Sequence, residues 1–194
     1  MIKAVFIDYM GTTVDERSPE MAEIVRRICK HSGVPDPKQV QRFILDTRRR
    51  YEMGSYLDTY LTEDEIVDRL IRDMEAQIEL TDEPDTLRGL IRSHWVNAPV
   101  FPDARAFFER CPVPIYIITN NGMPYMERAL ERNGLKPAGV ISADTVRAYK
   151  PSLPWWQPNL LALSKPACSQ WPLSLAHCSC SWGTLALGPI RYLM

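Results

Sequence analysis

Three short apolar runs, each ending at polar residues, constrain the fold of this chain most strongly. The first run covers residues 4–7 and stops at Asp8, the second covers residues 113–118 and stops at Thr119, and the third covers residues 139–142. Runs of this length are typical of buried strands in a parallel sheet. Residues 123–133 have helical spacing, so strand and helix alternate. The sequence therefore predicts an α/β fold with a doubly wound parallel sheet.

Between the first and second apolar runs lie four stretches with helical periodicity and no strand pattern. The first begins at Ser18-Pro19, a helix cap followed by proline, and the second covers residues 37–52. The third begins at Thr62, where Thr62-Glu63-Asp64-Glu65 has the spacing of a capping box, and the fourth covers residues 85–95. Four successive helices after a first strand predict an α-helical domain inserted into the sheet domain.

The distribution of charge marks where this pattern ends. All 24 acidic residues precede residue 145, and within residues 151–194 only Lys165 and Arg191 are charged. The same stretch holds four of the five tryptophans and shows no helical or strand period. We therefore expect a core, an inserted helical domain and an atypical C-terminal tail, with the boundaries 1–14 and 96–150, 15–95, and 151–194.

Charge and cysteine content limit the partners and the compartment. The 23 basic and 24 acidic residues give a net charge of -1, which argues against nucleic acid or an acidic membrane surface as a partner. No apolar run reaches the roughly 18 residues of a membrane span, so no membrane partner is expected. The five cysteines are an odd number without a regular framework, which favours reduced thiols and a cytoplasmic location.

The end of the first strand carries the residues best suited to chemistry. The carboxylate of Asp8 can attack phosphorus or carbon directly, provided that the site neutralises its charge. Gly11 permits a sharp turn beneath a bound anion, and Thr12 adds hydroxyl and amide donors. The simpler interpretation is that Asp8 only caps the turn at the end of the strand. The combination with glycine and threonine favours a nucleophile in an anion-binding turn.

Two further segments add polar groups at the same edge of the sheet. Thr119 and the Asn120 amide follow the second strand and are expected to contact the anion from the other side, unless they only cap the next helix. Lys150 is expected to supply the positive charge that keeps Asp8 ionised and stabilises the substrate. The simpler interpretation is that Lys150 is a solvated lysine of the loop. Together these groups predict a site for a small anionic substrate.

These segments resemble the haloacid dehalogenase superfamily of hydrolases. Asp8-x-x-Gly11-Thr12 is similar to its first motif, residues 117–122 to its second, and residues 147–151 to its third. The resemblance implies a Rossmann-like core with a mobile cap over residues 15–95 and a nucleophilic Asp8. Members of the superfamily include phosphatases, phosphonate hydrolases and dehalogenases.

Met10 departs from the phosphatase pattern, which places a second aspartate there as general acid. An apolar residue at this position resembles the phosphonoacetaldehyde hydrolase and 2-haloacid dehalogenase branches more closely. Those branches need a cap amine or a cap arginine, respectively. The available cap cations are Lys30, Lys38 and Arg48-Arg49-Arg50, and the arginine cluster also fits a solvated helix face.

The fourth motif of the superfamily, a Gly-Asp-Ser/Thr turn with a further acid, has no counterpart, because no acid follows Asp144. The resemblance implies Mg²⁺, with Asp8 and the backbone carbonyl of Met10 as ligands, and it should be held weakly without that acid. We hypothesise that a frameshift, a misread intron or a sequence error replaced the original amino-acid sequence after about residue 153. Asp144 is expected to cap the loop that leads to Lys150, the alternative being an acid that contacts the residues of the site without contacting the substrate.

The sequence thus predicts a hydrolase that uses Asp8 on a small phosphorylated, phosphonate or halogenated substrate. The alternative is a catalytically impaired anion-binding scaffold, because the fourth motif is missing. If the tail is genuine, open strand edges favour self-association. The group His177-Cys178-Ser179-Cys180 lacks the second half of a metal site. His31 and His94 are expected at surface or satisfied core positions.

Overall fold

The computed structural model describes residues 2–152 of the 194-residue chain. Predictions about residues 153–194, including the histidine–cysteine group and the replaced tail, lie outside the described residues. The elements follow one another in the order β1 (Val5–Asp8), α1 (Pro19–His31), α2 (Pro37–Met53), α3 (Glu63–Ile78), α4 (Pro84–Asn97), α5 (Pro102–Arg110), β2 (Ile115–Thr119), α6 (Met123–Asn133), β3 (Gly139–Ser142) and α7 (Ala143–Val146).

The three strands form a parallel sheet in the order β1-β2-β3. Asp8 is the register partner of Ile118, and Thr119 is the partner of Ser142, so the carboxyl ends of all three strands meet at one edge. Ile117 is fully buried beneath α6, whose Met126 belongs to the same apolar cluster. The predicted α/β fold with a Rossmann-like parallel sheet is confirmed.

Helices α1 to α4, which we call the helical segment (residues 19–97), bury a separate apolar cluster. Its fully buried members recur at helical spacing, and they include Ile24, Ile28, Leu70, Met74 and Leu87. The Ser18 hydroxyl caps α1 by accepting the Met21 amide, and Thr62 and Glu65 form the predicted capping box of α3. These helices are confirmed, whereas the division of the chain into a core and a cap stays a prediction.

The structure also contains elements that the sequence pattern did not indicate. Helix α5 begins at Pro102 with Asp103 in its first turn, which are both start signals, but its nine residues are too few to show a period. Strand β1 includes Asp8 itself instead of ending at Ile7. Gly89 lies inside α4 and does not interrupt the helix. A Cβ atom at this position would meet nothing within 4 Å.

None of the helices in residues 2–152 is long and apolar enough to cross a membrane. Cys29 and Cys111, the two cysteines in this part of the chain, are both free thiols.

Candidate functional site

Asp8 and Lys150 form an ion pair across the carboxyl edge of the sheet. Nζ of Lys150 lies 2.6 Å from Oδ1 of Asp8 and donates a second hydrogen bond to the carbonyl of Ile118, at 3.1 Å. The Tyr9 amide also donates to Oδ1 of Asp8, at 2.7 Å. The Asp8 side chain remains 44% exposed, whereas Lys150 is 20% exposed. The carboxylate is therefore held by a cation and is still open to a substrate.

The turn after β1 closes on itself around the carbonyl of Tyr9. The amides of Thr12, Thr13 and Val14 all donate to this oxygen, and Gly11 adopts the left-handed φ of +74° that a glycine accommodates. The Thr13 hydroxyl donates to the Asp8 carbonyl at 2.6 Å. Because the turn uses the Thr12 amide internally, the predicted contact of Thr12 with an anion stays a prediction that rests on its hydroxyl.

The loop after β2 connects to Lys150 through Asn120. Oδ1 of Asn120 accepts the Lys150 amide at 2.7 Å, so Asn120, Lys150 and Asp8 lie together, while the role of Asn120 as an anion ligand stays a prediction. Thr119 is 1% exposed, and its hydroxyl donates to Oδ1 of Asn121 at 3.0 Å while accepting the Asn121 amide at 3.1 Å. Thr119 therefore shapes the loop, and its role as an anion ligand stays a prediction.

Two acids from distant parts of the chain cap the N-terminus of α6, whose own N-cap is Gly122. Oε2 of Glu63 accepts the Gly122 amide at 2.6 Å, and Oδ2 of Asp144 accepts the Met123 amide at 2.7 Å. Asp144 thus contacts α6 instead of capping the loop to Lys150 as predicted, while Ser142 caps α7. Carboxylates favour this position because amide donors and the helix dipole converge there.

Glu63 is the residue at this edge that the sequence analysis missed. Its second oxygen, Oε1, accepts from Nδ2 of Asn121 at 3.1 Å, so both carboxyl oxygens contact the loop after β2. Burial raises the pKa of Glu63 to about 8, and the charge of Arg48 only partly offsets this effect. The sequence signal was the capping box, which identifies Glu63 as a first-turn acid but not as a buried one.

Two tyrosines pack beside these acids. The rings of Tyr60 and Tyr149 stack with centroids 5.5 Å apart. The Tyr60 hydroxyl donates to Asp144 at 2.8 Å, and the Tyr149 hydroxyl donates to the carbonyl of Leu61 at 2.9 Å. Burial raises the pKa of both phenols, so both stay protonated donors at neutral pH. They join the chain before α3 to the segment that carries Lys150.

The predicted cap cations divide into exposed and half-buried residues. Lys30, Lys38, Arg49 and Arg50 are exposed, and Arg50 pairs with Asp73. Arg48 is half-buried, and its Nε donates to Glu52 at 2.6 Å.

The buried histidine of α4 occupies a satisfied core position, as predicted. Nδ1 of His94 lies 2.9 Å from the Ser18 hydroxyl. Burial lowers the pKa of His94, which keeps the ring neutral beside this partner.

The donor set at the edge does not fit a magnesium site on its own. Within residues 2–152, no group of three or more His, Cys, Asp or Glu side chains could hold a metal ion. Mg²⁺ requires about six oxygen ligands in near-octahedral geometry. Asp8 and the Met10 carbonyl would supply two, and Oδ1 of Asp8 is already paired with Lys150.

Comparison with solved structures identifies the fold. An L-2-haloacid dehalogenase from Xanthobacter autotrophicus is 20% identical with a TM-score of 0.61, and the alignment covers 84% of this chain and 63% of that enzyme. The chain has the haloacid dehalogenase fold. A second L-2-haloacid dehalogenase, RSc1362, is 21% identical with a TM-score of 0.64 and coverages of 84% and 71%. This chain thus spans less than two thirds of the Xanthobacter enzyme.

A magnesium-bound HAD-hydrolase from Bacillus subtilis, YfnB, shares the haloacid dehalogenase fold with this chain. It is 16% identical with a TM-score of 0.63, and the alignment covers 85% of this chain and 74% of that protein. No family model and no curated protein matches the sequence. At identities this low, the similarity establishes the fold, and the chemistry must be argued from the side chains.

Proposed function

We propose that this chain is a hydrolase in which Asp8 attacks a small anionic substrate and Lys150 pairs with the negative charges of the Asp8 carboxylate and the substrate. One observation carries the proposal: an accessible strand-end carboxylate whose Oδ1 is fixed by a lysine 2.6 Å away and by the Tyr9 amide. A nucleophile and its charge partner within hydrogen-bond reach are typical of covalent catalysis. The haloacid dehalogenase fold supports the proposal.

The geometry assigns different tasks to the two oxygens of Asp8. Because Lys150 and the Tyr9 amide both contact Oδ1, we assign the attack to Oδ2. With a 2-halo carboxylic acid, a bond forms between Oδ2 and the second carbon, and halide leaves with the electrons of the carbon–halogen bond. Water then cleaves the resulting ester, which restores the Asp8 carboxylate and releases the hydroxy acid.

A 2-halo carboxylic acid is the substrate class that these residues favour. Met10 is a partly buried apolar side chain that supplies no carboxyl group to protonate a phosphoester leaving group. Halide needs no such proton, and Lys150 offers an ammonium group for the substrate carboxylate. Similar proteins named L-2-haloacid dehalogenases support this choice.

The test follows product release from one candidate of each class by the purified full chain. We expect chloride release from 2-chloropropionate above the background of Asp8→Asn, and no phosphate release from a generic phosphoester or from phosphonoacetaldehyde. A single turnover in isotopically labelled water should give an unlabelled hydroxy acid, because its new oxygen comes from Asp8. Phosphate release without chloride release would mean that the substrate is a phosphoester or a phosphonate. Equal background rates from the unmodified chain and Asp8→Asn would reject the proposed hydrolase activity.

The second candidate is an anion-binding scaffold with little activity. It is favoured by the donor set, since Asp8 is the only carboxylate among the residues that contact Lys150 in the described part of the chain. This candidate predicts that orthophosphate or 2-chloropropionate binds while no product forms. Calorimetric titration together with product assays separates it from the hydrolase.

A further inference from the structure

Glu63 is a buried carboxyl group of the helical segment that has no task in the reaction proposed above. It is the first residue of α3 and is 5% exposed. Burying a carboxyl group is unfavourable unless donors compensate, and unpaired buried acids are rare in proteins. Its donors are the Asn121 side chain and the Gly122 amide, which both belong to the loop after β2.

The charged groups around Glu63 do not pair with it. From α2, Arg48 is close enough to lower the pKa of Glu63, but its Nε hydrogen-bonds to Glu52. Glu52 on α2 and Asp144 on α7 both raise the pKa of Glu63. The hydrogen bonds to the loop are therefore the specific contacts of this carboxyl group.

The loop that Glu63 contacts also positions Lys150. Residues 119–122 form a closed turn in which Thr119 and Asn121 hydrogen-bond twice. On one side of this turn, Glu63 accepts the Gly122 amide. On the other side, Oδ1 of Asn120 accepts the Lys150 amide. Lys150 in turn reaches Asp8. Hydrogen bonds at both sides of the loop, joined by the backbone of residues 120–122, thus connect α3 to the proposed nucleophile.

We propose that Glu63 is a positioning residue: it fixes the loop of residues 119–122 and, through Asn120, sets the place of Lys150 beside Asp8. The inference rests on the proposed function, since it assigns Lys150 to the substrate anion. Glu63 does not contact Asp8 or the substrate. It makes the anion site depend on the docking of the helical segment against the sheet, because α3 supplies the carboxyl group.

The alternative is that Glu63 only caps α6. A cap contributes to stability and has no effect on a lysine on the far side of the loop. The two roles differ in what happens to the Lys150 amide, which hydrogen-bonds to Asn120 and does not contact Glu63. The amide resonance of Lys150 therefore reports positioning separately from stability.

The experiment compares the full chain with Glu63→Leu, Glu63→Gln and Glu75→Leu. Leucine removes both acceptors, glutamine keeps one carbonyl oxygen for the loop, and Glu75 is an exposed residue of the same helix. Nuclear magnetic resonance follows the Lys150 amide, and calorimetry measures the affinity for orthophosphate. We expect Glu63→Leu to shift the Lys150 amide and to weaken orthophosphate binding about tenfold. Glu63→Gln should restore most of both, and Glu75→Leu should change neither.

Each outcome bears on one of the two proposals. An unmoved Lys150 amide in folded Glu63→Leu overturns the positioning role, whatever the affinity. A shifted amide in a chain that never binds orthophosphate supports the positioning role and counts against the anion site of the proposed function. If Glu63→Leu does not fold, Glu63→Gln is compared with Glu75→Leu, because glutamine keeps only one acceptor oxygen for the loop. A Lys150 amide shift larger than that of Glu75→Leu supports the inference, and no shift beyond it rejects the inference.

Discussion

Lys150 is the residue on which the candidate site depends most directly. Its ammonium group contacts Asp8 and the end of β2, so Lys150→Met leaves the Asp8 carboxylate without a cation and removes the donor for a substrate anion. Loss of one electrostatic donor in an active site typically costs on the order of a hundredfold to a thousandfold in kcat. We expect chloride release from 2-chloropropionate to fall by about that factor, measured at saturating substrate.

Lys136→Met is the matched control for this substitution. Lys136 is exposed and lies between α6 and β3, so the same change there alters the total charge equally without touching Asp8. Its rate should equal that of the unmodified chain. A Lys150→Met chain with an unchanged rate would remove Lys150 from the mechanism.

Glu63 makes stability depend on pH in a defined direction. Its pKa is about 8 in the folded chain, because of burial, against a value of about 4.5 when exposed. Between these values the folded state binds more protons than the unfolded state, so stability falls as pH rises. The contribution is fully present below about pH 4.5 and is lost above about pH 8. It should amount to a few kcal/mol.

Thermal denaturation of the unmodified chain and of Glu63→Gln measures this effect, because glutamine does not titrate. The difference in Tm between the two chains should change in favour of Glu63→Gln as pH rises from 5 to 8, roughly the interval between the two pKa values. In spite of burial, hydrogen bonds from Arg27 keep the pKa of Asp82 below its usual value, so Asp82 titrates below this interval and cancels in the difference. Parallel Tm curves would show that Glu63 ionises normally.

The sequence placed Asp8 and Lys150 at one edge of the sheet, because Asp8 ends one local apolar run and Lys150 follows another in the chain. Their chemical roles stay predictions. Glu63 was missed for a physical reason. Its neighbours Thr62 and Glu65 predict the first turn of a helix, and they do form its capping box. Its burial arises from Asn121, which is 58 residues away in the chain. No local pattern encodes a contact of that separation.

At the scale of elements, the glycine in the turn after β1 and the glycine in helix α4 should respond in opposite ways to substitution by alanine. Gly11 has a φ of +74°, so Gly11→Ala forces a side chain into the left-handed region, and its Cβ would lie 3.4 Å from Glu16. We expect a loss of about 1 kcal/mol in the free energy of unfolding. Gly89→Ala should instead add about 0.5–1 kcal/mol, since α4 is helical and open at that point.

Urea denaturation of both variants checks this pair, and each serves as the control for the other. The same atom is added in both cases, so only the backbone conformation and the surroundings differ. Equal effects of the two substitutions would mean that the turn after β1 does not hold Gly11 in the left-handed region.

Element boundaries were predictable where a cap is local and not where it is distant. Ser18 and Thr62 cap α1 and α3 from adjacent positions, and both starts were predicted. Helix α6 has no side-chain cap of its own and receives Glu63 and Asp144 from other parts of the chain. The sequence therefore placed α6 correctly while assigning Asp144 to the loop that leads to Lys150 instead of to the start of α6.

At the scale of the whole molecule, composition separates residues 151–194 from the rest. The haloacid dehalogenase fold is established by structural similarity, and the chain spans 63% of the Xanthobacter enzyme that shares it. The acid-free stretch begins after Asp144 and includes the segment that carries Lys150. We expect one of the other two reading frames beyond codon 150 to encode a Gly-Asp-Ser/Thr turn. Sequencing the coding DNA tests this, and no such turn in either frame rejects the replaced-tail hypothesis.

Magnesium affinity is the property of the whole chain that this replacement should change. A ligand that binds only the folded state stabilises it by RT ln(1 + [L]/Kd), which is about 2.7 kcal/mol at a hundredfold excess over Kd. Because Asp8 is paired with Lys150, and Glu63 and Asp144 cap α6, millimolar Mg²⁺ should leave the Tm of the present chain nearly unchanged. A chain with the restored frame gains a carboxylate and should melt at a higher temperature in Mg²⁺. An equal rise in both chains would show that residues 1–152 hold the metal without that acid.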